Sequence, residues 1–250
     1  MQLSIVVPVR NEADNILPLL AEIHAALENR GEFEVVYVDD GSSDATPQRL
    51  AEAMRRYPRL RVLAHRMSCG QSTALMTGVR AARGEWVATL DGDGQNDPAD
   101  VPKLLAARDA AARNGSPAAN LQLIAGYRKT RRDSWLKRLS SRIANAVRSR
   151  LLGDATPDTG CGLKLVARAV YLELPFFDHM HRFLPALVQR NGGVTLSVEV
   201  NHRPRTRGTS NYGLFDRLWV GIVDLFGVMW LKRRTRHPAV SEVRREGPSA

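Results

Sequence analysis

Cysteine is scarce in this chain, and the spacing of its cysteines excludes two classes of protein. The 250 residues include only Cys69 and Cys161, with no CxxC pair and no Cys/His spacing of the kind that binds zinc. A disulfide-stapled scaffold and a cysteine-based zinc site are therefore excluded, and the thiols fit a reducing compartment. A signal peptide is not expected, because the apolar run Ile5–Val9 is too short and acidic Glu12 follows it.

Common nucleotide-binding motifs are missing as well. No GxGxxG follows the first strand-like run, and no GxxxxGK[ST] occurs anywhere in the sequence. A dinucleotide-dependent oxidoreductase and a P-loop NTPase are therefore poorly supported. The six histidines form no metal-binding spacing, and His179 and His181 are expected to have structural roles.

Positive charge, in contrast, is abundant and unevenly spread. The formal net charge is +10, and the segment from Tyr127 to Arg150 holds nine Lys/Arg against one acid, Asp133. A second basic cluster lies near the C-terminus at residues 232–236. Such an excess predicts an anionic partner, which could be phosphates, a membrane surface or nucleic acid.

Strand-like and helix-like segments alternate along the first half of the chain. Apolar residues make up 44% of the sequence, which is enough for one large domain with a real core. Short β-branched runs include LSIVVPV, FEVVYVDDGS, RVLAH, EWVATLDGDG, LQLIAGYR and, later, GVTLSVEVNHR. This alternation predicts an α/β fold with a mostly parallel sheet flanked by helices. Ligands of such sheets bind outside the carboxyl ends of the strands, where three polar segments fall: Arg10–Glu12, Asp39–Gly41 and Asp91–Asp97.

The stretch LDGDGQNDPAD, residues 90–100, gathers four acids in a basic protein. An EF-hand loop counted from Asp91 would need Gly at position 6 and Glu at position 12, but Asn96 and Pro102 stand there. Two interpretations remain open. The segment is either a solvated turn, or a D-x-D site that holds a divalent cation and leaves positions for substrate phosphates. Its place at a strand end favours the cation site.

Two segments of the second half suggest contact with a membrane surface. Residues 134–152 have apolar side chains at helical spacing with Arg and Lys between them, which predicts a basic amphipathic helix. Residues 214–236 are apolar and then basic, but their uncharged stretches are far shorter than the roughly 20 residues of a spanning helix. We expect this segment to lie in the interface, with Trp219 and Trp230 as anchors. The alternative is a helix packed on the core. Residues 237–250 are expected to form a flexible tail.

Four motifs, in order, resemble a known family. They are VVPVRNEADNI, FEVVYVDDGSSDAT, GQSTALMTGVRAARGEWVATLDGDGQNDPAD and DTGCGLK. Together they resemble family 2 glycosyltransferases with the GT-A fold, a Rossmann-like sheet, and more closely the dolichol-phosphate mannose synthase branch with its bacterial polyprenyl-phosphate relatives. The resemblance runs from about Leu3 to Gly213, so residues 1–213 are expected to form the GT-A domain.

The resemblance implies roles for particular residues. The nucleotide-sugar donor is implied to bind Pro8, Val9, Arg10, Glu12, Asp39, Asp40, Gly70, Gln71, Asp91, Gly92 and Asp93. A D-x-D-x-Q motif, formed by Asp91, Asp93 and Gln95, is implied to hold Mg²⁺ or Mn²⁺. The acceptor phosphate is expected to contact Arg128, Arg131, Asp158 and Ser210. The residues expected to carry catalysis are Asp91, Asp93, Arg128 and Arg205.

Some of these assignments have plain alternatives. Arg131 and Arg132 also fit a solvated face, and Asp158 also fits a turn cap. His202 and Arg203 belong to the late segment HRPRTRGTSNYG, which matches the family's R-x-x-G-x-S-K pattern except that Asn211 stands in place of the lysine. That change removes a charge near the diphosphate, for which Arg207 is the nearby substitute. Ser68 replaces an asparagine that many members have.

The expected reaction is inverting, metal-dependent transfer of a hexose from a GDP-mannose or UDP-glucose type of donor. The acceptor is a membrane polyprenyl phosphate, either dolichyl or undecaprenyl, at the cytoplasmic face of a membrane, where the enzyme would be peripheral and could have a membrane-protein partner. A lipid phosphate is largely a dianion near neutral pH, since the second pKa of a phosphate monoester is about 6, so it needs no base. The first rival is a soluble or glycan hydroxyl acceptor, with Asp158 as base. The second rival is a non-catalytic basic protein that binds lipid or nucleic acid, and nucleic acid is disfavoured because it leaves the acidic cluster unexplained.

Overall fold

The computed structural model describes residues 1–113, 120–128, 148–154, 156–204, 214–236 and 238. The strands are β1 Leu3–Val9, β2 Phe33–Asp39, β3 Leu60–Ala64, β4 Trp86–Thr89, β5 Leu121–Arg128, β6 Lys164–Ala167 and β7 Val194–Val200. The helices are α1 Ala13–Leu27, α2 Thr46–Arg56, α3 Gln71–Ala81, α4 Val101–Arg113, α5 Arg168–Glu173, α6 Leu184–Arg190 and α7 Leu214–Arg233. Short 3₁₀ turns lie at Pro98–Asp100 and Met180–Arg182.

The strands form one sheet in the order β3-β2-β1-β4-β6-β5-β7. Neighbours are parallel except around β6, which is antiparallel to both β4 and β5. The predicted α/β fold with a mostly parallel sheet is confirmed, whereas the short antiparallel strand β6 was not predicted. Because β6 reverses direction between them, β4 and β5 point the same way. The carboxyl ends of β1, β2, β4, β5 and β7 therefore all lie at one edge of the sheet.

Two hydrophobic clusters cover the two faces of the sheet, which is why the central strands read as continuous apolar runs. Ile5 and Val7 of β1 pack in the cluster that contains α1, and Val6 packs in the cluster that contains α3. Helix α3 approaches the sheet so closely that a Cβ on Gly78 would lie 2.4 Å from Cγ1 of Val6. Glycine at this position therefore fixes how near α3, and the site residues at its start, can come to the sheet.

Helix α7 packs one side on the domain and exposes the other. Val228 is fully buried, and Leu225 and Met229 pack against the same cluster. Val223, Phe226 and Trp230 are 55%, 63% and 59% exposed, respectively. The core-packed alternative thus describes one side of this helix, and contact with a membrane interface stays a prediction for its exposed side. Among the residues that the structure describes, no helix has the length and apolarity needed to cross a bilayer. Residues 134–147 of the predicted basic helix lie outside the described part, and residues 148–152 are helical.

Candidate active site

The loops that follow β1 and β2 are hydrogen-bonded to each other at the sheet edge. Asn11 adopts a left-handed backbone conformation (φ 55°), its N–H donates to Ser42 Oγ at 2.9 Å, and its Oδ1 accepts from the N–H of Ser43 at 2.8 Å. The N–H of Glu12 donates to Thr46 Oγ1, and Asp39 Oδ1 accepts from the N–H of Ser42. These contacts shape the edge where the sequence places the nucleoside, beside Pro8, Val9 and the exposed Arg10.

Asp40 organises the next loop through both of its carboxylate oxygens. Oδ1 contacts His65 Nδ1 at 2.7 Å and accepts from the N–H of Cys69, while Oδ2 accepts from Ser68 Oγ and from the N–H of Gly70. Burial opposes ionisation, but these hydrogen bonds outweigh it and lower the pKa of Asp40. Asp40, His65 and Cys69 also lie close enough to suggest metal ligands. However, the 2.7 Å between Asp40 Oδ1 and His65 Nδ1 is a hydrogen-bond distance. We therefore interpret these three residues as a hydrogen-bonded cluster that holds the loop before Gly70 and Gln71.

Asp91 and Asp93 follow β4 and lie at the centre of the edge. Asp91 Oδ1 accepts from Gln71 Nε2 at 2.9 Å, and Asp93 Oδ1 accepts from the N–H of Gln95 at 3.1 Å. Burial, together with repulsion from Asp93, raises the pKa of Asp91 to about 6. Gly92 must be glycine here, because a Cβ would meet Val9 Cγ1 at 2.5 Å.

The other two acids of the cluster have cationic partners. Asp97 Oδ1 lies 2.7 Å from Arg203 Nη2, and Asp100 Oδ1 lies 2.5 Å from Lys103 Nζ. Across the described residues, neither Asp91 nor Asp93 forms such an ion pair. A divalent cation would relieve the repulsion between these two neighbouring carboxylates, and hard cations prefer oxygen ligands. The residues present therefore fit Mg²⁺ or Mn²⁺.

An ion pair at the end of β5 forms the other half of the edge. Arg128 binds Asp158 with one edge of its guanidinium, at 2.6 Å from Nε to Oδ2 and 3.1 Å from Nη2 to Oδ1. Asp158 also accepts from the backbone N–H groups of Arg128 and Gly160. Since both side chains are largely buried, this pairing fixes the direction of the guanidinium. Asp158 thus orients the arginine.

Buried Lys164 lies between these two halves, and the sequence analysis gave it no role. In the register of the sheet it is paired with Thr89 of β4 and with Ala125 of β5. Its Nζ donates to the carbonyl oxygens of Thr159 and Cys161, which shapes the loop before β6. In that loop the backbone of Gly162 lies so close to the Asp91 carboxylate that a Cβ there would fall 2.1 Å from Asp91 Oδ2. Burial lowers the pKa of Lys164, although Asp91 and Asp158 favour its charged form. The only sequence signal was its place in DTGCGLK.

A match to a protein-family model identifies the domain that contains these residues. The model of glycosyl transferase family 2 matches residues 4–174. The chain belongs to glycosyl transferase family 2. The resemblance drawn from the sequence motifs is thereby confirmed.

Two curated sequence relatives of this family 2 chain support the assignment. It is 34% identical over 249 residues to the dodecaprenyl-phosphate galacturonate synthase of Rhizobium johnstonii, covering 95% of this chain and 69% of that protein. It is 35% identical over 214 residues to the undecaprenyl-phosphate 4-deoxy-4-formamido-L-arabinose transferase of Edwardsiella ictaluri, covering 84% of this chain and 63% of that protein. The chain thus spans about two thirds of the length of these relatives.

Solved structures confirm the GT-A fold. Glucosyl-3-phosphoglycerate synthase from Mycobacterium tuberculosis, in complex with Mn²⁺, UDP and glucosyl-3-phosphoglycerate, matches with a TM-score of 0.67 at 19% identity. The match covers 92% of this family 2 chain and 79% of the other. At this identity the likeness concerns the fold.

The family 2 domain brings most of the predicted site residues to one edge, and the remainder lie outside the described residues. The described ones are Pro8, Val9, Arg10, Glu12, Asp39, Asp40, Gly70, Gln71, Asp91, Gly92, Asp93, Gln95, Arg128 and Asp158. Arg131, Arg205 and Ser210 fall in the undescribed segments, as do Arg132, Arg207 and Asn211. His181 Nδ1 contacts Ser72 Oγ at 2.8 Å at the start of α3, in keeping with a structural role.

Asp91→Asn is expected to stabilise the metal-free protein above pH 6 by about 1–3 kcal/mol, and the gain should vanish near pH 4. The pKa of Asp91 in the folded state, about 6, exceeds its unfolded value. The wild-type protein therefore loses stability as the pH rises through this interval, whereas asparagine cannot ionise. Urea unfolding in EDTA at pH 4, 6 and 8 measures the difference. Asp109→Asn, at an exposed helix position, is the control, and an identical pH response of wild type and Asp91→Asn would contradict the environment described.

Proposed function

We propose that this family 2 glycosyltransferase transfers a sugar from a nucleotide sugar to a membrane polyprenyl phosphate, with inversion and with a divalent cation. The observation that carries the proposal is the division of one sheet edge into two halves. One half presents Asp91 and Asp93, which form no ion pair within the described residues, and the other presents Arg128 held by Asp158. The names of both curated relatives, each with a polyprenyl phosphate in it, support the acceptor class.

The donor half has the chemistry for a nucleoside diphosphate. The loops beyond β1 and β2, with Glu12 and Asp39, supply acceptors for ribose and base. Asp91 and Asp93, with Gln95, would hold a cation that, when bound, stabilises charge on the departing diphosphate. A structural relative solved in complex with Mn²⁺ and UDP supports a donor of this class together with a divalent cation. Arg205, in the late segment, is proposed to add fixed positive charge.

The acceptor half suits a phosphate better than a hydroxyl. A lipid phosphate attacks as a dianion and needs to be positioned and screened, which the guanidinium of Arg128 can do with two parallel hydrogen bonds. Arg131 and Ser210 are proposed as further phosphate contacts. A hydroxyl acceptor would need a base, and its sequence candidate was Asp158. Both oxygens of Asp158 already accept from Arg128, so the described geometry favours the phosphate.

The sugar that is transferred has to be identified by testing a set of nucleotide-sugar donors. The sequence motifs predict a hexose from a donor of the GDP-mannose or UDP-glucose type. The two relatives described above are named for galacturonate and for 4-deoxy-4-formamido-L-arabinose. A uronic acid and a formamido pentose therefore belong beside mannose and glucose among the sugars tested, as GDP and UDP derivatives.

Release of nucleoside diphosphate is expected to require both Mn²⁺ or Mg²⁺ and a short polyprenyl phosphate. Asp93→Asn and Arg128→Ala should each lower the rate at least about 100-fold, because the first removes a carboxylate that would hold the cation and the second removes a positive charge that would face the acceptor phosphate. Asp158→Asn should mainly raise KM for the lipid, since it frees the arginine without removing it. Arg49→Ala, an exposed arginine paired on α2, is the matched control and should be unchanged.

Two results would change this assignment. Lipid-independent transfer to a glycan, with Arg128→Ala fully active, would establish the hydroxyl-acceptor rival. A correctly folded protein that releases nothing from any donor would point to the non-catalytic rival.

The exposed side of α7 is proposed to rest on the cytoplasmic face of a membrane, where the polyprenyl phosphate presents its headgroup. Three features support it: the apolar side chains Val223, Phe226 and Trp230, the basic residues 232–236 that follow them, and the two thiols without a disulfide. Each Lys or Arg near an anionic surface contributes roughly 1 kcal/mol. A membrane-protein partner on the same face is compatible with this placement.

Vesicle flotation tests the α7 surface. Wild-type protein should float with vesicles that contain anionic phosphatidylglycerol, and Phe226→Ser/Trp230→Ser should lower the bound fraction about tenfold through the loss of apolar area. The control is Met54→Ser, at a 45% exposed position on α2. Equal flotation of wild type and the double variant would assign α7 to another contact.

A further inference from the structure

We infer that Arg203 is a positioning residue that holds the D-x-D-x-Q loop in the shape needed for cation binding. The inference rests on the proposed function and deepens it. Arg203 lies beyond the end of β7, more than a hundred residues after the loop, and the sequence analysis gave it no role of its own.

Arg203 joins two separate elements through its guanidinium. Nη1 lies 2.6 Å from Glu22 Oε2 on α1, and Nη2 lies 2.7 Å from Asp97 Oδ1 in the loop after β4. The planar fork of arginine reaches both carboxylates at once, which the single ammonium of lysine cannot do with the same geometry. The arginine therefore ties the far end of the acidic loop to a helix of the core.

Backbone contacts extend this tie along the loop. The N–H of Arg203 donates to the carbonyl oxygen of Gln95 at 3.1 Å, and Asn96 forms an antiparallel bridge with His202. The N–H of Asn201 donates to Asp100 Oδ2 at 2.6 Å. Residues 95–100 are thus held by residues 201–203 on one side, directly after Asp93. Gln95, a predicted ligand, has its main chain fixed by Arg203 itself.

The charge balance of the cluster also depends on Arg203. By pairing with Asp97, it removes one of the four acids from competition for a cation and leaves the binding to Asp91 and Asp93. Without it, Asp97 would be a third unpaired carboxylate beside them, and the loop would lose its link to α1.

The contacts of Arg203 are only partly buried, so their loss should affect the loop more than the fold. The side chains of Arg203 and Glu22 are 38% and 43% exposed. Ion pairs this exposed contribute little to global stability. A purely structural arginine would change the melting temperature in proportion to its effect on binding, whereas a positioning residue separates the two.

The experiment measures Mn²⁺ affinity by electron paramagnetic resonance in the presence of UDP or GDP, together with melting temperature and hydrogen–deuterium exchange. Arg203→Ala should weaken Mn²⁺ binding about tenfold, as expected for a residue that orients metal ligands. It should speed exchange in residues 94–97 and shift the melting temperature by less than about 3 °C. Asp97→Asn should reproduce these effects. Glu22→Gln, which removes the charge of the anchor on α1 but leaves the Arg203–Asp97 contact, should give a smaller effect of the same kind. Arg49→Ala, at an exposed and ion-paired arginine on α2, is the matched control and should stay near wild type.

The possible failures are distinguishable. If Arg203→Ala binds Mn²⁺ like wild type and its loop exchanges at the wild-type rate, the positioning role is wrong. If wild type itself binds no Mn²⁺, the cation in the proposed function is wrong. The exchange rates then decide whether Arg203 orders the loop: faster exchange in Arg203→Ala supports the inference, and unchanged exchange overturns it.

Discussion

Mutual repulsion among the carboxylates of residues 91–100 is the constraint on which the site depends. Four acids in this short stretch repel one another, and nearby positive charge reduces that repulsion. The fold provides compensation selectively, through Arg203 for Asp97 and Lys103 for Asp100. Asp91 and Asp93 are left at the sheet edge without an ion pair among the described residues, and burial together with repulsion from Asp93 raises the pKa of Asp91 to about 6. These two carboxylates are the basis for proposing a cation site in an otherwise basic protein.

The directions of the strands place positively charged side chains beside these carboxylates. Strand β6 runs antiparallel between β4 and β5, so the strand that leads to Asp91 and the strand that leads to Arg128 end at the same edge. Lys164 on β6 sits between them and shapes the loop that touches Asp91. The proposed cation half and the proposed phosphate half are therefore neighbours because of one short strand.

Much of this arrangement could be predicted from local sequence, and the remainder could not. The β-branched runs and their polar ends predicted the parallel strands and the convergence of Asp39, Asp91 and Glu12, since strand periodicity and direction are local properties. Strand β6 was missed because KLVA is short and follows glycines. The contacts of Arg203 with Glu22 and of Arg128 with Asp158 join residues 181 and 30 positions apart, which no local pattern specifies. Asp40 was expected at the nucleoside, but its four hydrogen bonds to a later loop depend on the folded chain.

The location of the cation tests the central claim most directly. Crystals grown with Mn²⁺ and UDP or GDP, measured at the manganese absorption edge, would give an anomalous difference peak at the metal. The account predicts a single strong peak within coordination distance of carboxylate oxygens of Asp91 and Asp93, next to the nucleotide diphosphate. A peak at Asp40, His65 and Cys69, or bound nucleotide with no peak beside Asp93, would contradict it.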